Sequence, residues 1–278
     1  MMRPTSRTAK WIPYGFVAGR CGGHTLIELM IATALGLIVV AAIASLYRAA
    51  RQFYYASADT ALMREAGMTA LLLISEQLQM AGFVPPGSAA LANEVGAGLF
   101  GCASGYPVET GAGLSCKRDA SGSDGLAIRY VDDAVATWPA ETGQATDCLG
   151  QGVGPAGEPV VVFNRFFVAT SRERAASELY CEGNGGAARQ PAVAGVERLT
   201  FRYWIRGAAQ PVSAAAVAPD RWHDVVAVDI CVRVRGVRTA ARGRYVDCDQ
   251  AVPRHADGHA RQVFRRRVAV LNHEHAGR

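Results

Sequence analysis

The sequence predicts an α+β protein in which a long N-terminal α-helix, membrane-spanning in its first half, packs on a mostly antiparallel β-sheet. Three observations support this fold class. Residues 29–47 contain no charged side chain, no proline occurs in residues 24–84, and the second half of the chain holds several segments of alternating apolar residues. Helix-type patterns therefore come first and strand-type patterns follow, as in an α+β domain.

The charge of the chain is concentrated at its N-terminus. The net charge is +5, and residues 1–23 contain four basic residues and no acid, whereas the remainder has 25 basic and 24 acidic residues. A pI of 8.9 would by itself suggest an acidic partner such as nucleic acid. Because the rest of the chain is nearly neutral, we predict no specific nucleic-acid partner.

The uncharged run 29–47 has the length of a membrane span. Nineteen residues at about 1.5 Å each just cross a hydrocarbon core of about 30 Å. Basic residues precede the run, so the positive-inside rule predicts a cytoplasmic N-terminus and a C-terminal domain outside. A secretory signal cleaved after Ala44 and a plain single-pass anchor are alternatives. Neither of them accounts for Glu28, the acid at the start of the run.

The segment GGHTLIELMIATALGLIVVAAI (22–43) resembles the N-terminus of a type IV prepilin, a class III signal shared by pilins and type II secretion pseudopilins. The resemblance implies that prepilin peptidase cuts after Gly23 and that the new N-terminal amine, on His24, is methylated. Glu28 then occupies the position of the family's glutamate. One departure is visible, since His24 replaces the usual apolar first residue. Gly22 is a second candidate for the cleavage glycine, but a cut there would put Glu28 one position too late.

Glu28 is expected to have a partner in another chain. An unpaired carboxylate inside a bilayer costs a few kcal/mol on insertion scales. The amine created at His24 of a neighbouring subunit would neutralise it as the helices pack, and would draw the subunits into register. Snorkelling of the carboxylate to the membrane surface is the alternative.

The helix should continue beyond the membrane. Met68, Leu71, Leu72, Ile74 and Leu78 fall within an arc of roughly 160° on a helical projection. A stop is expected at Gly82, which is followed by Pro85-Pro86. The predicted organisation is a leader (1–23), a transmembrane assembly helix (24–47), its amphipathic continuation (48–82) and a β-rich domain (83–278).

Five segments after residue 82 are predicted as strands: 124–133, 159–170, 195–205, 223–236 and 265–273. In the third, Leu199, Phe201, Tyr203 and Ile205 should face inward. In the fourth segment, the residues expected to face inward are Val226, Val228, Ile230, Val232 and Val234. This alternation indicates half-buried antiparallel strands. Residues 207–220 are rich in alanine and proline and are predicted as a loop.

Six cysteines follow the apolar run, and no CxxC occurs. This pattern favours disulfides in an oxidising compartment, although spacing alone cannot choose among about 15 connectivities. Sequential pairing (Cys102–Cys116, Cys148–Cys181, Cys231–Cys248) is the default, because the first and last pairs would close short loops. Buried free thiols are the alternative.

A second resemblance concerns the C-terminal half. The series VVVFNRFFVATS, LYCEG, VAGVERLTFRYWI and VFRRRVAVLNH resembles PilW-like minor pilins. It implies a pilin-like fold, supports the Cys148–Cys181 bridge, and implies a role in priming type IV pilus assembly within a minor-pilin complex near the tip. A type II secretion pseudopilin is the runner-up. A tip adhesin for a host surface or DNA, and a membrane-anchored periplasmic protein, are further alternatives.

No catalytic, cofactor or metal site is predicted, and the protein is not expected to be an enzyme. His255 and His259 flank a glycine in a loop, and His273 and His275 lie in a polar tail. Carboxylates in 124–133 and 247–249 lack an EF-hand pattern. Arg265, Arg266 and Arg267 are expected on a solvated strand edge.

The two resemblances together imply partners and a location. The partners are prepilin peptidase, other minor and major pilins, the inner-membrane assembly platform and membrane lipid. The location is a single-pass inner-membrane protein with a periplasmic C-terminal domain, which later enters the pilus at the cell surface.

Overall fold

The computed structural model describes residues 23–111, 113–119, 121–133, 139–171, 176–186, 188–239, 244–252 and 257–272. Of the expected leader, only Gly23 is therefore described. The chain divides into two compact units, Met1–Phe53 and Tyr54–Arg278. This boundary lies a few residues beyond the predicted end of the membrane segment at residue 47.

A single helix, α1 (Leu26–Met80), accounts for most of the described part of the first unit and begins the second. No proline interrupts it, which is consistent with its length. It ends two residues before the expected stop, and Gly82 follows with a φ of +77°, a left-handed conformation that glycine adopts without strain. Within the described residues of the first unit, every side chain of α1 is exposed.

The second half of α1 buries one face in the domain. The buried residues are Asp59, Met63, Gly67, Ala70, Leu71, Ile74, Ser75 and Leu78. The predicted apolar face was partly wrong, since Met68 and Leu72 are 55% and 51% exposed. The contact line is set instead by small residues such as Gly67, which let the sheet approach closely. The apolar character of the residues cannot by itself show that small residues lie at this contact.

In the part of the chain that the structure describes, twelve strands follow the helix. They are β1 (Leu99–Cys102), β2 (Gly105–Thr110), β3 (Gly113–Arg118), β4 (Gly125–Val131), β5 (Ala145–Thr146), β6 (Gly152–Val153), β7 (Val161–Thr170), β8 (Ser177–Gly183), β9 (Gln190–Ala194), β10 (Val196–Ile205), β11 (Val225–Thr239) and β12 (His259–Ala269). A short helix, α2 (Ala92–Val95), and 3₁₀ turns at Ala89–Leu91, Ala214–Ala216 and Pro219–Asp224 complete the described elements.

The strands form two main antiparallel sheets. One has the order β1-β4-β7-β8-β9 and the other the order β10-β11-β12, and β2-β3 and β5-β6 form separate pairs. All described strand pairs are antiparallel. The predicted α+β class is therefore confirmed.

Most predicted strands correspond to observed ones. The segments 124–133, 159–170, 195–205 and 223–236 match β4, β7, β10 and β11 to within a few residues. The last strand begins at His259, six residues before its predicted start. The predicted loop 207–220 contains one 3₁₀ turn and the start of another. Strands β1, β2, β3 and β9 were missed because they are short and rich in glycine, alanine or polar residues.

The predicted alternation is confirmed in β10, where Leu199, Phe201, Tyr203 and Ile205 are all buried. In β11 it is confirmed for the last four predicted residues and fails at Val226, which is only half-buried. A bulge between Trp204 and Ile205 shifts the register, so that Val225 becomes the buried residue. A bulge adds one residue and thereby exchanges the two faces of a strand.

Candidate functional site

The N-terminal segment places its three predicted functional residues close together at the start of α1. Gly23 and His24 precede α1, and Glu28 lies in its first turn. The His24 Nδ1 atom lies 3.6 Å from Glu28 Oε2, and these side chains are 85% and 64% exposed. The peptide bond after Gly23 and the carboxylate of Glu28 are thus both on the surface of the described chain.

Glu28 also takes part in a capping box at the start of α1. The Glu28 N–H donates to Thr25 Oγ1 at 3.3 Å, and the Thr25 N–H donates to Glu28 Oε2 at 3.4 Å. Two backbone donors without helical partners are satisfied in this reciprocal way. The T-x-x-E spacing signals this cap, and our sequence analysis overlooked it. Within the described chain, the partners of Glu28 are Thr25 and His24.

The apolar part of α1 fits a membrane. Among the described residues, α1 is the one helix long and apolar enough to cross a bilayer, judged by length and composition. Its exposed side chains in the first unit include Leu29, Ile31, Leu35, Ile38 and Ile43. Large apolar side chains exposed in this number favour a lipid or protein environment over water.

The cysteines form the three sequential pairs: Cys102–Cys116, Cys148–Cys181 and Cys231–Cys248. The first joins the end of β1 to β3, the second joins the loop after β5 to β8, and the third joins β11 to the segment 244–252. The first bridge therefore links the β2-β3 pair to the five-stranded sheet, and the other two each fasten a less regular segment to a sheet.

The motif residues of the C-terminal half make connecting hydrogen bonds. The fully buried Asn164 accepts from the Cys148 N–H at 3.0 Å and donates to Gln77 Oε1 at 2.7 Å, which connects β7 to α1. Asn272 donates to the carbonyls of Gln79 and Ala81, at 3.0 and 3.4 Å, at the end of α1. Both asparagines therefore hold the helix on the sheet.

The Glu197 of the GVE segment belongs to an ion-pair network. Glu197 accepts from Arg261 at 2.7 and 2.8 Å and pairs with Arg233 at 3.2 Å. Arg233 also pairs with the buried Asp247 at 2.6 Å. Arg261 has a side chain only 3% exposed and bonds Asp257, whose pKa the guanidinium holds well below its ordinary value. Partnered in this way, the charges on β10, β11 and β12 are tolerated at positions with little exposure to solvent.

A carboxylate also connects the two sheets. Asp124, just before β4, accepts from the Ser104 N–H at 2.9 Å and from the Phe201 N–H at 3.0 Å. Burial raises the pKa of Asp124, against the opposing effect of these hydrogen bonds. Its role here is to join β10 to the turn between β1 and β2.

The histidines do not assemble a site in the described chain. His259 Nδ1 bonds the Gly236 carbonyl at 2.9 Å, and His223 lies beside Asp224. His255, His273 and His275 lie outside the described residues. No group of three potential metal ligands occurs in the part of the chain that the structure describes.

Comparisons with known proteins give two family matches. Residues 19–44 match the prokaryotic N-terminal methylation motif, and residues 165–272 match PilW, the type IV pilus-assembly protein W. No curated protein matches the chain. Among solved structures, a type IV-like pilin from Thermus thermophilus matches with a TM-score of 0.40 and 15% identity, covering 74% of this chain and 94% of its own.

The N-terminal match defines the class: the chain is a type IV prepilin, anchored in a membrane by α1 and associated with a pilus. The C-terminal match concerns a narrower group of proteins than the N-terminal match. With it, the chain is a minor pilin of type IV pilus assembly that is similar to PilW over residues 165–272, and it interacts with other pilins and with the pilus machinery.

Proposed function

We propose that this minor pilin enters the inner membrane with its N-terminus in the cytoplasm and its β domain in the periplasm. Prepilin peptidase cuts after Gly23, and the amine of His24 is methylated. The mature chain then joins other minor pilins on the inner-membrane assembly platform and helps to prime the filament, at or near its tip. Its role is structural, without catalysis, a cofactor or a metal.

The observation that carries this proposal is the arrangement of Gly23, His24 and Glu28 before an uncharged, exposed helix. The acid lies five residues after the glycine, within the stretch matched by the methylation motif. Among the described residues, the exposed carboxylate of Glu28 has only short-range partners, Thr25 and His24. A methylated amine from a neighbouring subunit would therefore find an accessible anion within lipid, where an ion pair is strongly favoured over a lone charge.

Processing is tested by intact-mass and N-terminal analysis of the chain from membranes with and without prepilin peptidase. We expect a mature chain that begins at methylated His24 only when the peptidase is present. The variant Gly23→Val should block cutting, whereas Gly22→Val, one residue away, should be processed. A chain that begins at Ser45, or one that stays uncut in both strains, would contradict the proposal.

The filament position is tested separately, by gold labelling of the β domain on sheared pili. Label at filament ends, at about one site per filament, is the expected result. Label spaced along the shaft would overturn the tip position and leave the processing result unaffected.

A further inference from the structure

The outward face of the three-stranded sheet carries an excess of arginine. Residues opposite one another in an antiparallel pair share a face. One row across the sheet is Arg202–Asp229–Arg267, and the adjacent row is Thr200–Cys231–Arg265. Three guanidiniums and one carboxylate therefore lie on one small surface, opposite to the buried face of the sheet.

The single carboxylate in these two rows is paired with one of these arginines. Arg267 donates to both oxygens of Asp229, and the Trp204 Nε1–H donates to Oδ2 at 2.9 Å. The Arg267 guanidinium also lies over the Trp204 ring, 4.3 Å from its centre. Asp229 consequently has little capacity left for Arg202, which lies opposite it on β10.

The other two guanidiniums lack a carboxylate. Among the described residues, no carboxylate oxygen lies within 4.0 Å of the guanidinium of Arg202 or Arg265. Arg265 donates instead to the carbonyl of Asp247 at 2.6 Å. Both arginines are exposed, so their charge is available to a ligand.

These side chains border a depression of about 430 Å³, which we call the arginine pocket. Its lining includes Thr200, Arg202, Cys248, Gln250, Arg265 and Arg267. The wall formed by Cys248 and Gln250 is held by the Cys231–Cys248 disulfide, and by Asp247, which is buried against Arg233. A pocket with a fixed wall loses less conformational freedom on binding than a flexible one.

We propose that the arginine pocket binds the carboxylate side chains of an acidic segment of a neighbouring pilus subunit. The planar guanidiniums of Arg202 and Arg265 suit bidentate recognition of carboxylates. The identity of the partner as a filament subunit rests on the proposed function, whereas the preference for an acidic ligand rests on the pocket itself.

The surroundings favour a protein partner over a nucleic acid. Single-stranded nucleic acid is bound by basic grooves with aromatic rings on which bases stack. The ring of Trp204, which adjoins the pocket, is already covered by Arg267. The chain after residue 23 is also close to neutral overall, so its net charge gives no general attraction for a polyanion.

The test places a photo-activated cross-linking residue at Gln250 in the full-length chain, in cells that assemble pili. We expect cross-links to an Asp- or Glu-rich peptide of another pilus subunit, identified by mass spectrometry. The same residue at Gln210, an exposed glutamine that does not line the pocket, should not give this product. Raising the ionic strength should reduce the yield.

Variants that remove the charge of these arginines test whether the cross-link depends on the arginine pocket. Arg202→Gln with Arg265→Gln should lower the yield roughly fivefold or more, as expected for the loss of two exposed ion pairs. The matched control is Arg206→Gln, an exposed arginine outside the pocket, which should leave the yield unchanged. If the double variant accumulates poorly, Arg202→Gln alone carries the test, because it breaks no ion pair in the described chain.

An unchanged yield in the charge variants would overturn the inference, as would cross-links to nucleic acid, to polysaccharide or to a non-acidic peptide. The N-terminal mass, measured on the same membranes, separates the two proposals. A correctly processed chain without an arginine-dependent cross-link overturns only the pocket. An uncut chain overturns the proposed function and the partner's identity with it.

Discussion

At the scale of the residue, the contribution of the Asp229 carboxylate to the stability of the fold depends on pH. Its hydrogen bonds from Arg267, together with that from Trp204, hold the pKa of Asp229 below its ordinary value of 3.8, although partial burial opposes this. A carboxylate whose pKa is lower in the folded state stabilises the fold above its unfolded pKa. The stabilisation is lost as the pH falls through the folded pKa.

Asp229→Asn should therefore make the stability of the fold depend less on pH in the acid range. At pH 7 we expect a loss of less than about 1 kcal/mol, because Arg267 and Trp204 lose a charged acceptor in an ion pair that solvent screens. Between pH 5 and pH 2 the wild type should lose stability more steeply than the variant. The measurement is the thermal midpoint of the full-length chain in detergent as a function of pH.

Asp220→Asn provides the control, since Asp220 is exposed and has no ion pair in the described chain. It should leave the profile unchanged. If Asp229→Asn followed the wild-type curve with a constant offset, the carboxylate would not be the titrating group that we infer.

At the scale of elements, the approach of α1 to β12 depends on the absence of a side chain at Gly67. A Cβ built at this position would lie 2.2 Å from Phe264 Cδ2 and 2.7 Å from its Cγ. Rotation of the ring cannot relieve the second contact, because Cγ lies on the rotation axis. To admit even a methyl group, Phe264 must therefore change its χ1 rotamer, or the helix or the strand must move.

Gly67→Ala should destabilise the protein, although alanine is favoured over glycine in a helix by about 1 kcal/mol. Overpacking typically costs about 1–3 kcal/mol, so we expect a small net loss that a denaturant titration can detect. Phe264→Leu, combined with Gly67→Ala, should recover part of the loss in a double-mutant cycle.

Met68→Ala is the matched control on the same turn of the helix. Because Met68 is exposed, its truncation should change the free energy of unfolding by less than about 0.5 kcal/mol. A stabilising Gly67→Ala, or a strongly destabilising Met68→Ala, would show that another face of α1 meets the sheet.

At the scale of the whole molecule, anchoring and domain stability belong to different units. The buried core lies in Tyr54–Arg278, whereas Glu28 lies in Met1–Phe53 and bonds only its neighbours His24 and Thr25 within the described chain. A substitution at Glu28 therefore leaves the domain core untouched. Assembly and folding can be separated by experiment.

Glu28→Ala should leave the thermal midpoint of the β domain and membrane insertion unchanged. It should reduce the chain found in sheared pili roughly tenfold or more, because the amine of the neighbouring subunit then loses its counter-charge in lipid. Immunoblots of membranes and sheared pili make the comparison. Glu76→Ala, an exposed acid on the second half of α1, is the control; equal incorporation of both variants would contradict the assembly role of Glu28.

Several parts of the fold could be predicted because they depend on local pattern. The buried face of β10 follows from period-two alternation, and the long helix follows from the absence of proline. Where the pattern predicted the wrong buried residue, tertiary contacts decided which side chain is buried. The bulge at Trp204–Ile205 exchanged Val226 for Val225, and close packing at Gly67 left Met68 exposed.

The sequence by itself determined the class of protein, since the register of Gly23, His24 and Glu28 before an uncharged run is a property of the chain alone. It also indicated the order of helix and strands. Only the tertiary structure decided which cysteines meet, and that Arg202 and Arg265 share a face with Asp229, which is already paired with Arg267. These groups are distant along the chain, and strand pairing brings them together through contacts that no local pattern encodes.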